Sequence, residues 1–258
     1  LKILKGLPQY FELVGIHDID RNAGLAVQQE FNVPYFELAD DLIQRIDALD
    51  IVTPTPFHFD LAHKAIQQNK HVFIEKPVTQ TLQESTILLE LSTQSDSLIQ
   101  VGHVERFNPA FIAAQPLLHQ PDFIETHRLA QFNPRGTDVP VVLDLMIHDL
   151  DIILHVVQSP VKHISASGVA VVSESHDITN ARIEFENGTV ANLTASRISL
   201  KNMRKSRFFQ RDAYVGIDFL NKSIEVVRLE GLEGPADPYD MVLDLGNDKE
   251  PKKLSIDS

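Results

Sequence analysis

The first hundred residues alternate short apolar runs with stretches whose apolar residues recur at helical spacing. Residues 11–16 form an apolar run halted by His17-Asp18-Ile19-Asp20, which predicts a buried strand followed by a helix over 21–31. A short segment at 33–36 leads into a predicted helix near 40–46, and residues 48–52 predict the next strand, stopped by Thr53-Pro54-Thr55-Pro56. Phe59, Ala62, Ala65 and Ile66 share one face of a predicted helix over 57–69. Strands at 71–74 and 98–101 flank a predicted helix over 81–94, the first of them ended by Glu75-Lys76-Pro77. Strand and helix in this alternation imply a parallel sheet covered by helices.

The pattern changes near residue 102. Asn108-Pro109, a capping residue followed by proline, opens a predicted helix over 108–118. A strand is expected over 123–131, then a polar loop at 133–138 and an apolar helix over 141–157. Strands dominate afterwards. Residues 181–186 and 189–196 flank Asn187-Gly188, a hairpin signal, and 214–219 and 223–229 follow. Residues 231–240, rich in Gly, Pro and acid, predict a surface loop. The fold class is therefore α/β plus α+β: a parallel-sheet domain over 1–103 and a domain with a large, mainly antiparallel sheet over 104–258.

The 258 residues exceed a single domain of ~150, which agrees with two domains. A formal net charge of −13 argues against nucleic acid and against an anionic membrane as partner. There is no cysteine, so disulfides, zinc ribbons and thiol nucleophiles drop out. No apolar run approaches the ~18 residues of a membrane span. These features suit a soluble cytoplasmic protein.

Ligands of open α/β sheets bind at the carboxyl ends of the strands. Asp18 follows one such end and could bond the ribose hydroxyls of an adenosine, favouring NAD over NADP; Asp20 is an equal candidate, and a solvated turn acid is the plain alternative. Thr53-Pro54 is either a stiff turn or part of a cleft, which His58 could join. Lys76, fixed by Pro77, could bond a substrate oxygen and help move its proton. On the helix over 141–157, Asp144, His148, Asp151 and His155 fall in a stripe about 60° wide, with Asp149 pointing elsewhere. The stripe is the wetted face, a general base oriented by its carboxylate neighbour, or a metal pair; the lack of Cys and of a third ligand cluster argues against metal. Arg197, Lys201, Arg204, Lys205, Arg207 and Arg211 make a positive island, either a solvated strand edge or an anchor for a phosphorylated ligand.

Thr53-Pro54, Glu75-Lys76-Pro77 and Asp144-x-x-x-His148, in this order and spacing, resemble the glucose–fructose oxidoreductase/inositol dehydrogenase/rhizopine catabolism (Gfo/Idh/MocA) family over essentially the whole chain. Residues 102–109 and 144–149 are similar to its nucleotide-sugar branch, UDP-N-acetylglucosamine 3-dehydrogenases in particular. The resemblance implies an N-terminal Rossmann domain and NAD-dependent oxidation of a sugar hydroxyl to a ketone, most simply the 3-hydroxyl of UDP-N-acetylglucosamine or a related nucleotide sugar. The alternatives are a free cyclitol or aldose as substrate, or a dinucleotide-sensing regulator without turnover. It further implies Lys76 and His148 as catalytic residues with Asp144 as carboxylate companion, Asp18 on the ribose, and Thr53, Pro54, His58, Glu75 and Lys76 on the nicotinamide side, with the Lys76–Pro77 bond cis. Arg106 and Asn108 are expected to face the substrate, and Arg135 and the island to meet its pyrophosphate. No metal is expected; a homodimer or homotetramer is. The family's first strand and Gly-rich loop are expected ahead of residue 1, residues 1–7 reading as the rear of the following helix; the ending at Ser258 is read as an early stop.

Overall fold

The computed structural model describes residues 1–133, 139–211, 213–231, 242–243 and 252–257. They fall into two compact units, Leu1–Gly102 and His103–Ser258.

The first unit opens with the short helix α1 (Lys2–Lys5), followed by α2 (Arg21–Phe31), α3 (Ala39–Ile43), β1 (Ala48–Ile51), α4 (His58–Gln67), β2 (His71–Ile74), α5 (Leu82–Gln94) and β3 (Ile99–Val101). The strands form a parallel sheet in the order β1-β2-β3, with Ala48 opposite His71 and Val72 opposite Ile99. The two longest helices of this unit, α2 and α5, start where a side chain satisfies their free N–H groups. Asp20 caps α2 by accepting from the N–H groups of Asn22 and Ala23. Thr81 and Glu84 form a reciprocal capping box on α5, at 3.2 and 2.9 Å. Ala62, Ala65 and Ile66 of α4 are buried against Ile51, Val72 and Ile74 of the sheet and Leu88 of α5.

Residues 11–16 do not form a strand. Their ladder contact is the single parallel bridge between Ile16 and Tyr35, and one bridge does not hold an extended segment in a sheet. Tyr35 is fixed by its own hydroxyl, which donates to the Asp18 carbonyl at 3.0 Å, and its ring lies where a Cβ on Gly24 would stand, 2.3 Å away.

The second unit holds α6 (Pro109–Ala114), β4 (Phe123–Leu129), α7 (Ile147–Val157), β5 (Val161–Val169), β6 (Ile178–Phe185), β7 (Val190–Ser196), β8 (Met203–Phe209), β9 (Ala213–Asp218), β10 (Ser223–Gly231), β11 (Val242–Leu243) and β12 (Lys252–Asp257). The strands form a nine-stranded sheet in the order β11-β12-β10-β9-β8-β4-β7-β6-β5. Pairing is antiparallel except between β4 and β7, where Phe123 lies opposite Val190. Ile124, Leu193, Ile183, Phe208 and Val215 line the covered face and meet Phe111 and Ala114 of α6 and Ile152 and Ile153 of α7 in one apolar core. Phe111 stacks on Phe219 with ring centroids 6.4 Å apart.

Three details differ from the sequence expectation. Proline at 116 cannot continue a helix, so α6 stops at Ala114 and a 3-10 turn covers Gln115–Leu117. The helix expected over 141–157 begins as a π-turn over Val142–Met146 and becomes regular only from Ile147. The hairpin after β6 uses three residues rather than two: Gly188 N–H donates to the Phe185 carbonyl, and Gly188 takes φ +92°, the bulge that relaxes a type I turn into the strand twist. The loop expected over 231–240 lies outside the described residues beyond Gly231.

Candidate functional site

In the first unit Thr53, Glu75 and Lys76 follow strand ends, and Asp18 lies just beyond the single bridge at Ile16. Asp20 is consumed by the α2 cap, which separates it from Asp18. The Asp18 carboxylate is exposed, and its Oδ1 accepts from the Asp20 N–H at 2.8 Å. An exposed carboxylate fits a ribose diol.

Beyond β1, Thr53 and Pro54 lead into a 3-10 turn over Thr55–Phe57. His58 then opens α4 and is buried, 1% exposed. Its Nδ1 lies 2.9 Å from the Pro77 carbonyl oxygen and its Nε2 2.8 Å from that of Thr53. Both partners are acceptors, so a neutral ring donates to one and only an imidazolium donates to both. Either way the ring ties the loop after β1 to the loop after β2, and its nitrogens are spent on the protein itself. Glu75 and Lys76 are half-buried at the end of β2; Glu75 Oε2 accepts from the Lys76 N–H at 3.2 Å, and the Lys76–Pro77 bond is cis. Gly102 leaves room for Glu75, whose Oε2 would stand 3.0 Å from a Cβ there. The loops after β1 and β2 are thus held together by one buried ring, with the Lys76 side chain at the end of β2.

In the second unit Asp144 lies inside the π-turn and His148 in the first turn of α7, both half-buried. A π-turn closes i→i+5 and is frequent at functional sites. The lower part of the polar stripe is structural. Asp151 accepts from Arg106 Nε at 2.8 Å and Nη2 at 2.6 Å, and His155 Nε2 stands 3.2 Å from Gln115 Nε2. Among the described residues no group of three His, Asp or Glu side chains could hold a metal ion.

The expected substrate residues are placed within the same unit. Arg106 is exposed but forked onto Asp151. The Asn108 amide donates to Glu105 and to the Phe219 carbonyl, both at 3.0 Å, and accepts from Ala110 N–H, so all its strong bonds are internal. Arg135 lies outside the described residues. The positive island resolves into β8 and its flanks. Lys205 pairs with Asp218 at 3.3 Å and Arg207 with Glu125 at 2.7 Å. Arg197 is buried and donates to the Val139 carbonyl. Arg204 is half-exposed, 3.8 Å from Glu105, and lies opposite Arg128 in the ladder.

Sequence reasoning missed the charged cluster beneath α7. Arg128, 2% exposed, donates from Nε and Nη2 to both oxygens of Asp149 at 3.0 and 2.9 Å, and from Nη1 to Glu105 at 2.9 Å. Burial pushes the Asp149 carboxyl above its ordinary value against the pull of Arg128, and Glu105 adds to the rise. Arg128 itself is held charged, the two carboxylates overcoming its desolvation. The signal was available: Ile124, Thr126 and Arg128 alternate on the covered face of β4, and a charge in that register demands buried acids.

A model of the oxidoreductase family with NAD-binding Rossmann fold matches residues 2–103, and one of the GFO/IDH/MocA C-terminal domain matches residues 121–210. The UDP-N-acetylglucosamine 3-dehydrogenase of Acidithiobacillus ferrooxidans is 37% identical over 216 residues, 83% of this chain and 69% of that protein. The scyllo-inositol 2-dehydrogenase (NAD(+)) of Bacillus subtilis is 30% identical over 190 residues, 68% of this chain and 55% of that protein. A crystal form of the Acidithiobacillus enzyme superposes with a TM-score of 0.83 at 34% identity, covering 87% of this chain and 75% of that one. With family models matching most of both units and a relative this similar across most of its length, the chain belongs to the Gfo/Idh/MocA oxidoreductase family.

Proposed function

We propose that the protein is an NAD-dependent dehydrogenase of a nucleotide sugar, oxidising the 3-hydroxyl of UDP-N-acetylglucosamine or a close relative to a ketone. The observation that carries the reading is the 37% identity, over 83% of the chain, to a UDP-N-acetylglucosamine 3-dehydrogenase. Lys76 and the Asp144–His148 pair support catalysis rather than mere sensing, since a sensor needs neither.

NAD, when bound, supplies the acceptor for the hydride from the carbinol carbon. Asp18 would hold the adenosine ribose, and its charge repels a 2′-phosphate, which favours NAD over NADP. Thr53, Pro54 and Glu75 would border the nicotinamide side, on loops that His58 ties together. His148 takes the hydroxyl proton as general base, with Asp144 orienting it. Lys76, as an ammonium group, would hydrogen-bond a substrate oxygen and polarise it. Of the basic island, Arg204 best supports a contact with the substrate diphosphate: it is half-exposed, shares the face of the sheet that carries α7, and is paired only loosely with Glu105 at 3.8 Å, whereas Lys205 and Arg207 are paired at 3.3 and 2.7 Å. The expected assembly is a homodimer or homotetramer.

The test is a panel of UDP-sugars, cyclitols and aldoses with NAD and NADP, read at the absorbance of the reduced nicotinamide on the full-length protein. Turnover with UDP-N-acetylhexosamines and NAD is expected. Turnover confined to cyclitols moves the substrate to the class of the Bacillus relative. Dinucleotide binding without turnover on any substrate refutes the enzyme reading.

A further inference from the structure

We propose that Arg128 is a positioning residue for His148, acting through the first turn of α7 by its grip on Asp149. The inference rests on the dehydrogenase reading for its catalytic consequence, but its geometric part stands on the second unit alone.

His148 sits directly after a change of helical bonding. The turn before it is the π-turn Val142–Met146, and the regular α-helix begins only at Ile147. Asp149, the next residue, is taken by the Arg128 fork at 3.0 and 2.9 Å. Asp151 is taken by the Arg106 fork at 2.8 and 2.6 Å. Two residues along an α-helix turn about 200°, so the forks hold α7 from nearly opposite sides and fix both its rotation and its height. A planar fork sets the direction of the carboxylate as well as its distance, which a lysine cannot do.

The grip is itself anchored. Arg128 stands on β4, in the middle of the sheet, and its third bond goes to Glu105 at 2.9 Å. Glu105 accepts in turn from Asn108, the cap of α6, and Asn108 reaches the Phe219 carbonyl. Strand, cap and helix are thereby joined by charged groups that are almost fully buried. Stability does not require this: well-packed apolar residues in place of a buried ion pair are often as stabilising. What apolar packing lacks is direction, and direction is what a general base needs.

The experiment compares Arg128→Lys and Asp149→Asn with wild type in the complete protein, each checked by circular dichroism and melting. Arg128→Lys keeps the charge and loses the fork; Asp149→Asn keeps the size and loses the carboxylate. Both are expected to lower kcat at least tenfold, with KM and the NADH dissociation constant within threefold of wild type. The His148 imidazole is followed in parallel by NMR on 15N-histidine protein, where the variants should show broadened or doubled ring signals against one sharp set in wild type. Arg128→Lys that folds, keeps kcat within twofold and leaves the imidazole signals unchanged overturns the proposal; should that variant fail to fold, the same result in Asp149→Asn does so. If wild type itself turns over none of the panel, the dehydrogenase reading falls, and the imidazole signals still decide whether Arg128 orients His148.

Discussion

His58 offers the sharpest test of how the first unit positions its loops. Replacing it by leucine keeps a similar apolar volume and removes both ring nitrogens from the Thr53 and Pro77 carbonyls. A buried acceptor left without a donor costs about 1–3 kcal/mol. A neutral ring serves one carbonyl and a protonated ring two, and the new leucine regains about 1 kcal/mol of apolar burial. Taking about 2 kcal/mol per acceptor, the expected net loss is about 1 kcal/mol for a neutral ring and about 3 kcal/mol for a protonated one. In a unit of this size each kcal/mol lowers Tm by about 4 °C or more. Differential scanning calorimetry at pH 7 should show the first unit's transition fall by at least 4 °C, with the second unit's unchanged. Function should suffer beyond stability, because Pro77 directly follows Lys76, and a displacement near 1 Å of a reacting group costs roughly 10²-fold. kcat/KM at a temperature where the variant is folded should fall about that far. His58→Gln, with one amide donor group, should lie between. A leucine variant that melts within 2 °C of wild type (roughly 0.5 kcal/mol or less) and keeps its kcat/KM would refute the idea that this ring ties the two loops together.

Lys76→Met and His148→Asn should each abolish turnover while NADH binding, followed by fluorescence titration, stays within a few-fold of wild type; wild-type rates in either would remove that residue from the chemistry. Gly24→Ala gains helix propensity of about 1 kcal/mol, yet its methyl would stand 2.3 Å from the Tyr35 ring, so a lower Tm and weaker NADH binding through the displaced Tyr35–Asp18 bond are expected. Burial opposes the charged form of Asp177, yet the N–H groups of Val172, Val171 and Ser173 outweigh it and hold this carboxyl below the ordinary range. A depressed carboxyl lends stability that is whole above the unfolded pKa of about 3.8 and is lost as pH falls toward the folded value. Asp177→Asn should therefore lower the urea midpoint at pH 7, and the gap from wild type should close at acid pH; a gap independent of pH would contradict the assignment.

The parts of the fold that sequence made visible are those where one residue type has a single physical use. Thr53-Pro54-Thr55-Pro56 cannot continue a strand or a helix, and Asn108-Pro109 can only open one. Ala62, Ala65 and Ile66 could share only a helical face. The regions that escaped notice lack such a constraint. Val161–Val169 carries no alternation because both faces of β5 are exposed, so burial left no period to read. The π-turn differs from an α-turn by one hydrogen-bond step and uses the same apolar residues. Of the proposed site residues, Lys76, Asp144 and His148 stand out by motif, whereas Arg128 reads in sequence as one more residue of a strand. Arg106 and Asn108 were recognised as special, but their partners lie far along the chain, at Asp151 and at Phe219, and pairing at that range is not written locally.

The parallel pairing of β4 with β7 bears on how the polypeptide is made. β4 ends at Leu129, and both strands that will flank it, β7 from Val190 and β8 from Met203, are synthesised much later. During translation its backbone waits with two open edges while α7, β5 and β6 leave the ribosome. Closure over such separations is slow and leaves nascent chains open to wrong partners. Cooler expression, or a chaperone that shields extended segments, should therefore raise the yield of soluble protein more than any stabilisation of the finished sheet.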